Sequence, residues 1–323
     1  MAATRNKPSV DLPARVGDFL AARLAPAERL SVGLSGGCDS VVLLHILSRL
    51  GFAGRLSAIH VHHGLSANAN AWAEFCADYC ASLGITLNTR IVAVDRNNGL
   101  GLEAAARQAR YRAFAESEAE CLLLAQHRGD QAETVLLNLL RGAGVHGAAA
   151  MPLERSHGAQ RLLRPLLGTS RHEIETYARA NGLLWVEDES NGDTALTRNF
   201  LRHQVLTAVV QRFPAAEAAL AQAAANFGEA AGLLDELAEL DWRLASDGEA
   251  ARLTVLRTFS LPRLKNLLRY RLRQLGWQVP VASRLDEFAR QLQVAAPDRH
   301  PELILPDGKM RAGRGLLQWL SQK

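Results

Sequence analysis

The chain is predicted to be an α/β protein, a doubly wound parallel sheet followed by a second, smaller and mainly helical domain. Three observations carry that expectation. Through the first two-thirds of its 323 residues, short apolar runs alternate with segments of helical periodicity, as parallel strands joined by crossover helices do. An apolar run beginning at Leu30 meets Ser35-Gly36-Gly37-Cys38-Asp39-Ser40 and passes directly into Val41-Val42-Leu43-Leu44-His45-Ile46-Leu47. After Pro214 the composition changes to an alanine- and acid-rich helical stretch. The expected division is 1–214 for the sheet domain, 215–245 for a connecting helix and 246–323 for the second domain.

Taken in order, strands are expected at Leu30 to Leu34, Leu56 to His62, Leu87 to Val94 and Cys121 to Ala125, each a short apolar or alternating run. Helices follow at Ser40 to Leu50, Asn68 to Leu83, Leu102 to Ser117 and Asp130 to Leu140. A fifth unit comprises Arg161 to Pro165 and a helix opened by Ser170, where Glu173 completes a capping box. The connecting helix, Ala215 to Leu244, contains Asp235, Glu236, Glu239 and Asp241. Beyond it Leu261, Leu264, Leu268, Leu272 and Leu275 recur at helical spacing, with Pro262 suited to a first helical turn.

Composition bounds the function. A 48% hydrophobic content and 22% charge are ordinary for a globular protein, and no apolar run reaches the ~18 residues of a membrane span. Met1 to Asp11 lacks the hydrophobic stretch of a signal peptide, so a cytoplasmic protein is expected. Cys38, Cys76, Cys80 and Cys121 form no CxxC pair and no zinc-type spacing; they read as reduced and structural. Net charge is only +4, yet from Arg252 to Arg284 the basic residues Arg252, Arg257, Arg263, Lys265, Arg269, Arg271, Arg273 and Arg284 occur without one acid. That block is a candidate polyanion surface, the alternative being a helix face paired with acids elsewhere.

The loop after Leu34 is built to hold phosphate. Paired glycines let backbone N–H groups approach an anion, and a helix starting next aims its unpaired N–H groups and positive dipole end at the same point. Ser35 and Ser40 add hydroxyls. Asp39 would repel phosphates unless a divalent cation lies between, although an acid in a first helical turn is also favoured by the dipole alone. No Lys follows the glycines, which excludes a Walker A loop. Ligands in such sheets bind beyond the carboxyl ends of the strands, where His60 to Leu65 and Gln126 to Glu133 also fall.

Asp130 and Glu133, three residues apart at a helix start, would join Asp39 in holding magnesium; their structural alternative is a reciprocal cap. In His60-Val61-His62-His63, alternation puts His60 and His62 on one face, more a strand-end polar cluster than a metal site. Glu103 and Arg107 have the spacing of a surface ion pair, and Arg110 and Tyr111 share neighbouring faces. Glu187-Asp188-Glu189-Ser190-Asn191 precedes Arg198-Asn199-Phe200-Leu201-Arg202, an acidic turn followed by two arginines one helical turn apart.

Together these strings resemble a known family. The Ser35 to Ser40 loop is similar to the pyrophosphate loop of the ATP pyrophosphatases, whose sheet is Rossmann-like, of the adenine nucleotide alpha hydrolase type. The loop, Ile59 to Leu65, Gly101 to Ala104 with Arg107 to Tyr111, Asp130 to Thr134, Arg164-Pro165-Leu166 and Asp188 to Arg202 follow the order and spacing of the tRNA(Ile)-lysidine synthetase family. The resemblance is close over the first two hundred residues and looser beyond.

It implies a ligase that adenylates the wobble cytidine of a tRNA(Ile) with a CAU anticodon, releasing pyrophosphate. The ε-amine of free L-lysine then displaces AMP, giving lysidine and changing the codon read from AUG to AUA. It further implies ATP at Ser35, Gly36, Gly37, Cys38, Asp39 and Ser40 with His60 alongside, and Mg2+ on Asp39, Asp130 and Glu133. Glu103, Arg107, Arg110, Arg198 and Arg202 would position lysine, cytidine or nearby phosphates. Arg269 and Arg273, within the basic block, would track the tRNA backbone, and the extruded cytidine would lie in a pocket between the domains.

The chain departs from the family in one motif. Its usual His-x-x-Asp-Asp segment has two adjacent aspartates, and here the run is His127-Arg128-Gly129-Asp130, with Gly129 removing one carboxylate. Two alternatives follow: a related tRNA thiolation enzyme, disfavoured by the lack of a cysteine pair, or a catalytically impaired tRNA-binding homologue. Ending at Lys323 fits the family's shorter form or a truncated chain, and a homodimer is left open.

Overall fold

The computed structural model describes residues 11–95, 101–296 and 299–321. The stretch before Asp11, on which most of the signal-peptide expectation rests, lies outside them. The chain divides into two compact units, Met1–Asn226 and Phe227–Lys323. Among the described residues no helix is long and apolar enough to cross a membrane.

The first unit opens with helix α1 (Leu12–Ala21), which sequence reading did not anticipate. Its signal was present: Leu12, Val16 and Leu20, one helical face, are buried, and Pro13 occupies the first turn. Then follow β1 (Leu30–Gly33), α2 (Cys38–Arg49), β2 (Leu56–His62), α3 (Ala69–Ser82), β3 (Thr86–Ile91), α4 (Leu102–Ala115), β4 (Cys121–Leu123) and α5 (Arg128–Leu140). A short α6 (Val145–Ala148), the hairpin β5 (Glu154–His157) and β6 (Gln160–Leu163), and α7 (Arg171–Ala180) complete the sheet layer. The predicted strand and helix units are all present. Helix α2 starts at Cys38, two residues before the expected Ser40, because Gly37 is extended and acts as its N-cap.

The sheet order is β3-β2-β1-β4-β6-β5. All neighbours are parallel except β5, which runs antiparallel to β6. Strand β5 was missed because Glu154–His157 is polar and largely exposed, without an apolar alternation to read. The order reverses between β1 and β4, so the loops leaving these two strands face one crevice. Helix α2 is buried nearly all round, with Val41, Val42, Leu43, Leu44, Ile46 and Leu47 inaccessible to solvent. Such an apolar helix needs cover on both faces, and the sheet and α7 provide it, with His45 Nδ1 and Tyr177 Oη 2.9 Å apart across the α2–α7 packing.

After α7 the chain passes through a turn at Glu189–Gly192, helix α8 (Thr197–Phe200), a π-helical segment Leu201–Leu206 and α9 (Thr207–Arg212). The expected connecting helix is α10 (Ala216–Ala245), and the division between the units falls within it.

The second unit contains the rest of α10, β7 (Ser246–Asp247), β8 (Ala250–Arg252), α11 (Leu253–Leu256), α12 (Leu261–Gln274), α13 (Ala282–Val294), β9 (Glu302–Leu305), β10 (Gly308–Gly313) and β11 (Leu316–Ser321). Helix is its larger share, as expected. The sequence reading did not foresee its five-stranded antiparallel sheet, β7-β8-β11-β10-β9. The predicted leucine stripe holds in part: Leu264, Leu268 and Leu272 are fully buried, with Leu267 between them, while Leu275 lies at the exposed helix end.

The basic block corrects an expectation. Acids from α10 and elsewhere in the unit neutralise much of it: Arg263 on Asp241 (2.8 and 2.9 Å), Arg273 on Asp235, Lys265 on Asp286 (2.8 Å) and Arg271 on Glu249 (3.4 Å). Arg252, Arg257 and Arg284 donate to backbone carbonyls. The paired-face alternative therefore describes most of these residues. Asp241 is wholly buried while Arg263 keeps 39% of its side-chain exposure, so water partly compensates the arginine if its partner is lost. Asp241→Ala should lower the stability of this unit by about 2–3 kcal/mol, less than the ~3–5 of a fully buried broken pair. Urea unfolding monitored at the unit's tryptophans checks this, and a loss below about 0.5 kcal/mol would show the pair to be dispensable.

Candidate active site at the sheet switch point

Ser35 to Ser40 leaves β1 at the crevice and is braced by its own side chains. The Ser40 hydroxyl donates to the Gly37 carbonyl (2.9 Å) and accepts the Ser35 N–H (3.2 Å), while the Ser35 hydroxyl accepts the Gly37 N–H (3.3 Å). These serines fix the bend, leaving the α2 N-terminal amides to face a ligand. Gly36 has φ +86°, and a Cβ there would lie 2.8 Å from Val186 Cγ2 and 3.3 Å from Cys76 Sγ. Conformation and space thus both require glycine. The Val186 N–H donates to the Gly36 carbonyl (3.0 Å), pinning the start of the acidic segment against the loop.

His60 lies behind the bend. It is buried, and its Nδ1–H donates to the Leu34 carbonyl at 2.9 Å, which fixes where the loop departs. Burial lowers its pKa, favouring the neutral ring.

The second edge of the crevice is the start of α5. His127 is the N-cap: its Nδ1 accepts the Gly129 N–H (3.0 Å), and Asp130 Oδ2 accepts the His127 N–H (2.9 Å). The capping arrangement anticipated for Asp130 with Glu133 is thus set one turn earlier, with Asp130 as its third residue. Because Nδ1 accepts, the neutral ring carries its proton on Nε2, which lies 3.9 Å from Asp39 Oδ2 and 3.7 Å from Asp130 Oδ2. One imidazole separates the two carboxylates. Asp39 Oδ2 also accepts from Arg171 Nη1 at 2.7 Å. Its Oδ1 is buried without a partner.

Glu133 is turned from this line. Arg202 Nε donates to its Oε1 (2.5 Å) and Nη2 to its Oε2 (3.2 Å), while the same Nη2 reaches Asp130 Oδ1 (3.1 Å). Burial disfavours charge on Arg202, but the hydrogen bond with Glu133 and the charges of Glu133 and Asp130 outweigh it and raise its pKa. Arg202 is therefore committed to carboxylates rather than presented to phosphate.

The three carboxylates expected to hold magnesium are neighbours without forming one ligand cluster. Among the described residues no group of three or more His, Cys, Asp or Glu side chains has that arrangement. The chemistry of the donors still suits a cation: three carboxylates meet two guanidiniums, and the partnerless oxygen belongs to Asp39 beside the loop. Burial pushes the Asp39 carboxyl above its ordinary 3.8, against the pull of His127 and Arg171.

The remaining predicted residues divide into two groups. Glu103, at the start of α4, pairs with Arg198 of α8 at 3.4 Å rather than with Arg107, which donates to the Tyr111 hydroxyl (3.3 Å) and stacks its guanidinium 4.9 Å from that ring. Arg110 Nε donates to His63 Nε2 at 3.4 Å. Burial and the Arg110 charge lower the His63 pKa to about 4. Arg269 and Arg273 belong to the second unit, and Arg273 is engaged by Asp235. Sequence reading named His127 and Arg164 within motifs without giving either a role, and missed Arg171; Arg164 is buried, its Nε donating to Gln126 (3.0 Å) and Nη1 to the Pro152 carbonyl (2.7 Å). For Arg171 the capping box at Ser170 was the available signal, since it fixes the next residue at a helix N-terminus.

Comparison with known proteins gives the family and the fold. Residues 9–209 match the PP-loop domain family, and residues 252–318 match a domain described as the TilS substrate binding domain. The chain is 45% identical to tRNA(Ile)-lysidine synthase of Nitrosomonas europaea over 93% of its own length and 67% of that protein. Identity to the enzyme so named in Aromatoleum aromaticum is 46%, covering 90% of this chain and 68% of that one. For Pseudomonas syringae pv. tomato the values are 46%, 96% and 72%. The chain belongs to the tRNA(Ile)-lysidine synthase family. Among solved structures, the U34-tRNA thiolase NcsA of Methanococcus maripaludis superposes with a TM-score of 0.56 at 18% identity, over 68% of this chain and 78% of that one, a likeness of fold alone.

Gly129 acquires a physical role in this member of the lysidine synthase family. A Cβ at this position would meet His127 Cε1 at 2.8 Å and Nδ1 at 3.1 Å, so the cap ring occupies the space that a side chain would need. Replacing a helical glycine by alanine ordinarily stabilises by about 1 kcal/mol. Gly129→Ala should instead destabilise by about 1 kcal/mol, the loss of an N-cap, measured by thermal or urea unfolding. A stabilised variant would refute the packing role assigned to this glycine.

Proposed function

We propose that this protein ligates free L-lysine to the wobble cytidine of tRNA(Ile) bearing a CAU anticodon, consuming ATP and releasing AMP and pyrophosphate. Family membership supports the ligase activity and the tRNA partner. The observation that carries the chemistry is the loop Ser35 to Ser40, held open by Gly36 at the switch point with Asp39 and Asp130 on either side of His127 Nε2.

The ring carbonyl oxygen of the cytidine attacks the α phosphate of ATP, and the bond to the β phosphate breaks. The loop amides and the α2 N-terminus stabilise negative charge on the departing pyrophosphate. Lysine's ε-amine, as the free base, then attacks the activated ring carbon, whose bond to the AMP oxygen breaks. Asp39 and Asp130 are the residues that would hold magnesium, with Arg202 fixing Asp130 and Glu133 behind them; bound there, the ion neutralises phosphate charge. Glu103, Arg107, Arg110 and Arg198, on facing elements, are assigned to lysine and the cytidine.

The thiolation alternative lacks sulfur chemistry among these side chains. All four cysteines are free and buried, and burial raises the Cys38 thiol to about 11 and Cys76 to about 12, keeping them protonated.

Incubation of the purified protein with ATP, magnesium, radiolabelled lysine and tRNA(Ile) tests the reading. The expected product is a labelled nucleoside with one AMP and one pyrophosphate released per lysine incorporated. Binding of the tRNA without any label would remove the ligase reading and leave the impaired homologue.

Asp39→Asn should stop pyrophosphate release yet stabilise the ligand-free protein at pH 7. The native carboxyl binds its proton more tightly than the unfolded chain does. Its ionisation therefore costs stability as pH rises from the unfolded value near 3.8 through the higher folded one. The variant's advantage should shrink as pH falls toward that lower value. An advantage independent of pH, measured by urea unfolding across the range, would contradict the assignment.

A further inference from the structure

We propose that Arg171 is a further positioning residue of the ATP site, holding Asp39 while the loop is without nucleotide and turning to the triphosphate when nucleotide and metal arrive. This rests on the ligase reading of the loop. Arg171 occupies the first position of α7, and its backbone is fixed from several sides. Ser170 and Glu173 form the capping box, Arg15 holds Glu173 (2.6 Å) and Thr169 (3.1 Å), and the Arg128 N–H donates to the Thr169 carbonyl (2.9 Å). The starts of α5 and α7 are thereby tied together at the crevice. The side chain is less confined, retaining 46% of its exposure.

Its guanidinium contacts also allow transfer. Nη1 donates to Asp39 Oδ2 (2.7 Å) and Nε to Glu175 Oε1 (2.9 Å), and neither contact uses Nη2. Glu175 has a second partner in Arg179 (3.4 Å), so it stays compensated if Arg171 moves. With a cation held by Asp39, the guanidinium would be released from that carboxylate. A triphosphate in the adjoining loop offers that guanidinium a multiply charged acceptor, two of whose oxygens the planar fork of arginine matches with parallel hydrogen bonds. One arginine thus prevents Asp39 from remaining an uncompensated charge in the open site and later adds a positive charge beside the leaving pyrophosphate.

Calorimetric titration of the intact protein with magnesium–ATP, pyrophosphate and AMP tests this assignment. Arg171→Gln should weaken ATP and pyrophosphate binding by about tenfold or more while changing AMP binding less than about twofold. Arg171→Lys should recover much of the loss, and Arg179→Gln, on the same helix, should behave as wild type. In the absence of nucleotide, Arg171→Gln should bind Mn2+ more tightly than wild type, read by electron paramagnetic resonance, and adding Asp39→Asn should cancel that gain. Unchanged pyrophosphate affinity in Arg171→Gln, or an equal loss for AMP, overturns the assignment. Wild-type protein that binds none of the three ligands overturns the nucleotide-site reading itself, and Arg171's role with it.

Discussion

Three carboxylates gathered at the end of a parallel sheet, beside a loop shaped to receive phosphates, set the electrostatic problem that the first unit answers. Asp39 and Asp130 are drawn there because α2 and α5 begin at the switch point, where acids in the first helical turn are locally favoured, and Glu133 follows in the second turn of α5. Together they repel one another and any nucleotide. Arg202 reaches Asp130 and Glu133 from the π-helical segment, Arg171 reaches Asp39 from α7, and the Nε2–H of His127 faces two carboxylates at once. Each compensating group comes from a different part of the chain. The ion pairs consequently determine where Leu201–Leu206 and α7 must sit relative to the sheet, and the carboxylates organise structure as well as chemistry.

Much of this was legible in local pattern. Apolar runs fixed four parallel strands, the Ser-Gly-Gly-x-Asp-Ser string placed the loop, and Ser170 with Glu173 announced the start of α7. Those signals are short-range, because strand burial, helix caps and tight turns depend on residues a few positions apart. The pairing of charges was not legible for the converse reason. Arg171 and Asp39 are separated by 132 residues and Arg202 and Glu133 by 69, and no spacing rule connects them. The i,i+4 rule failed for Glu103 and Arg107 because Arg198, folded in from a distant segment, supplied the partner.

The second unit shows the same division between local and distant information. Leucine periodicity located α12, but a run of basic residues without a single acid gave a misleading impression of free positive charge. Its counter-ions lie on α10, α13 and the β7–β8 turn, which pack against α12 only after folding. Arg271 illustrates the outcome: its guanidinium stacks 3.7 Å from the centre of the Trp242 ring and pairs with Glu249, a packing role as much as an electrostatic one. Sequence density of charge is therefore a poor measure of the field this unit presents, and any polyanion must read the charges that remain unpaired.

The missing carboxylate at position 129 follows from the same charge reasoning. A second aspartate there would add to a crevice in which three carboxylates already meet only two guanidiniums, and its Cβ would displace the His127 ring from the helix cap. With glycine, the ring lies against the backbone, accepts the Gly129 N–H and keeps its Nε2 proton between Asp39 and Asp130. Negative charge in excess of the guanidiniums persists, centred on the unpartnered Asp39 oxygen. The substitution thus removes one acid while preserving the imbalance that makes the crevice attractive to a divalent cation, and the burden of orienting that charge passes to the His127 cap.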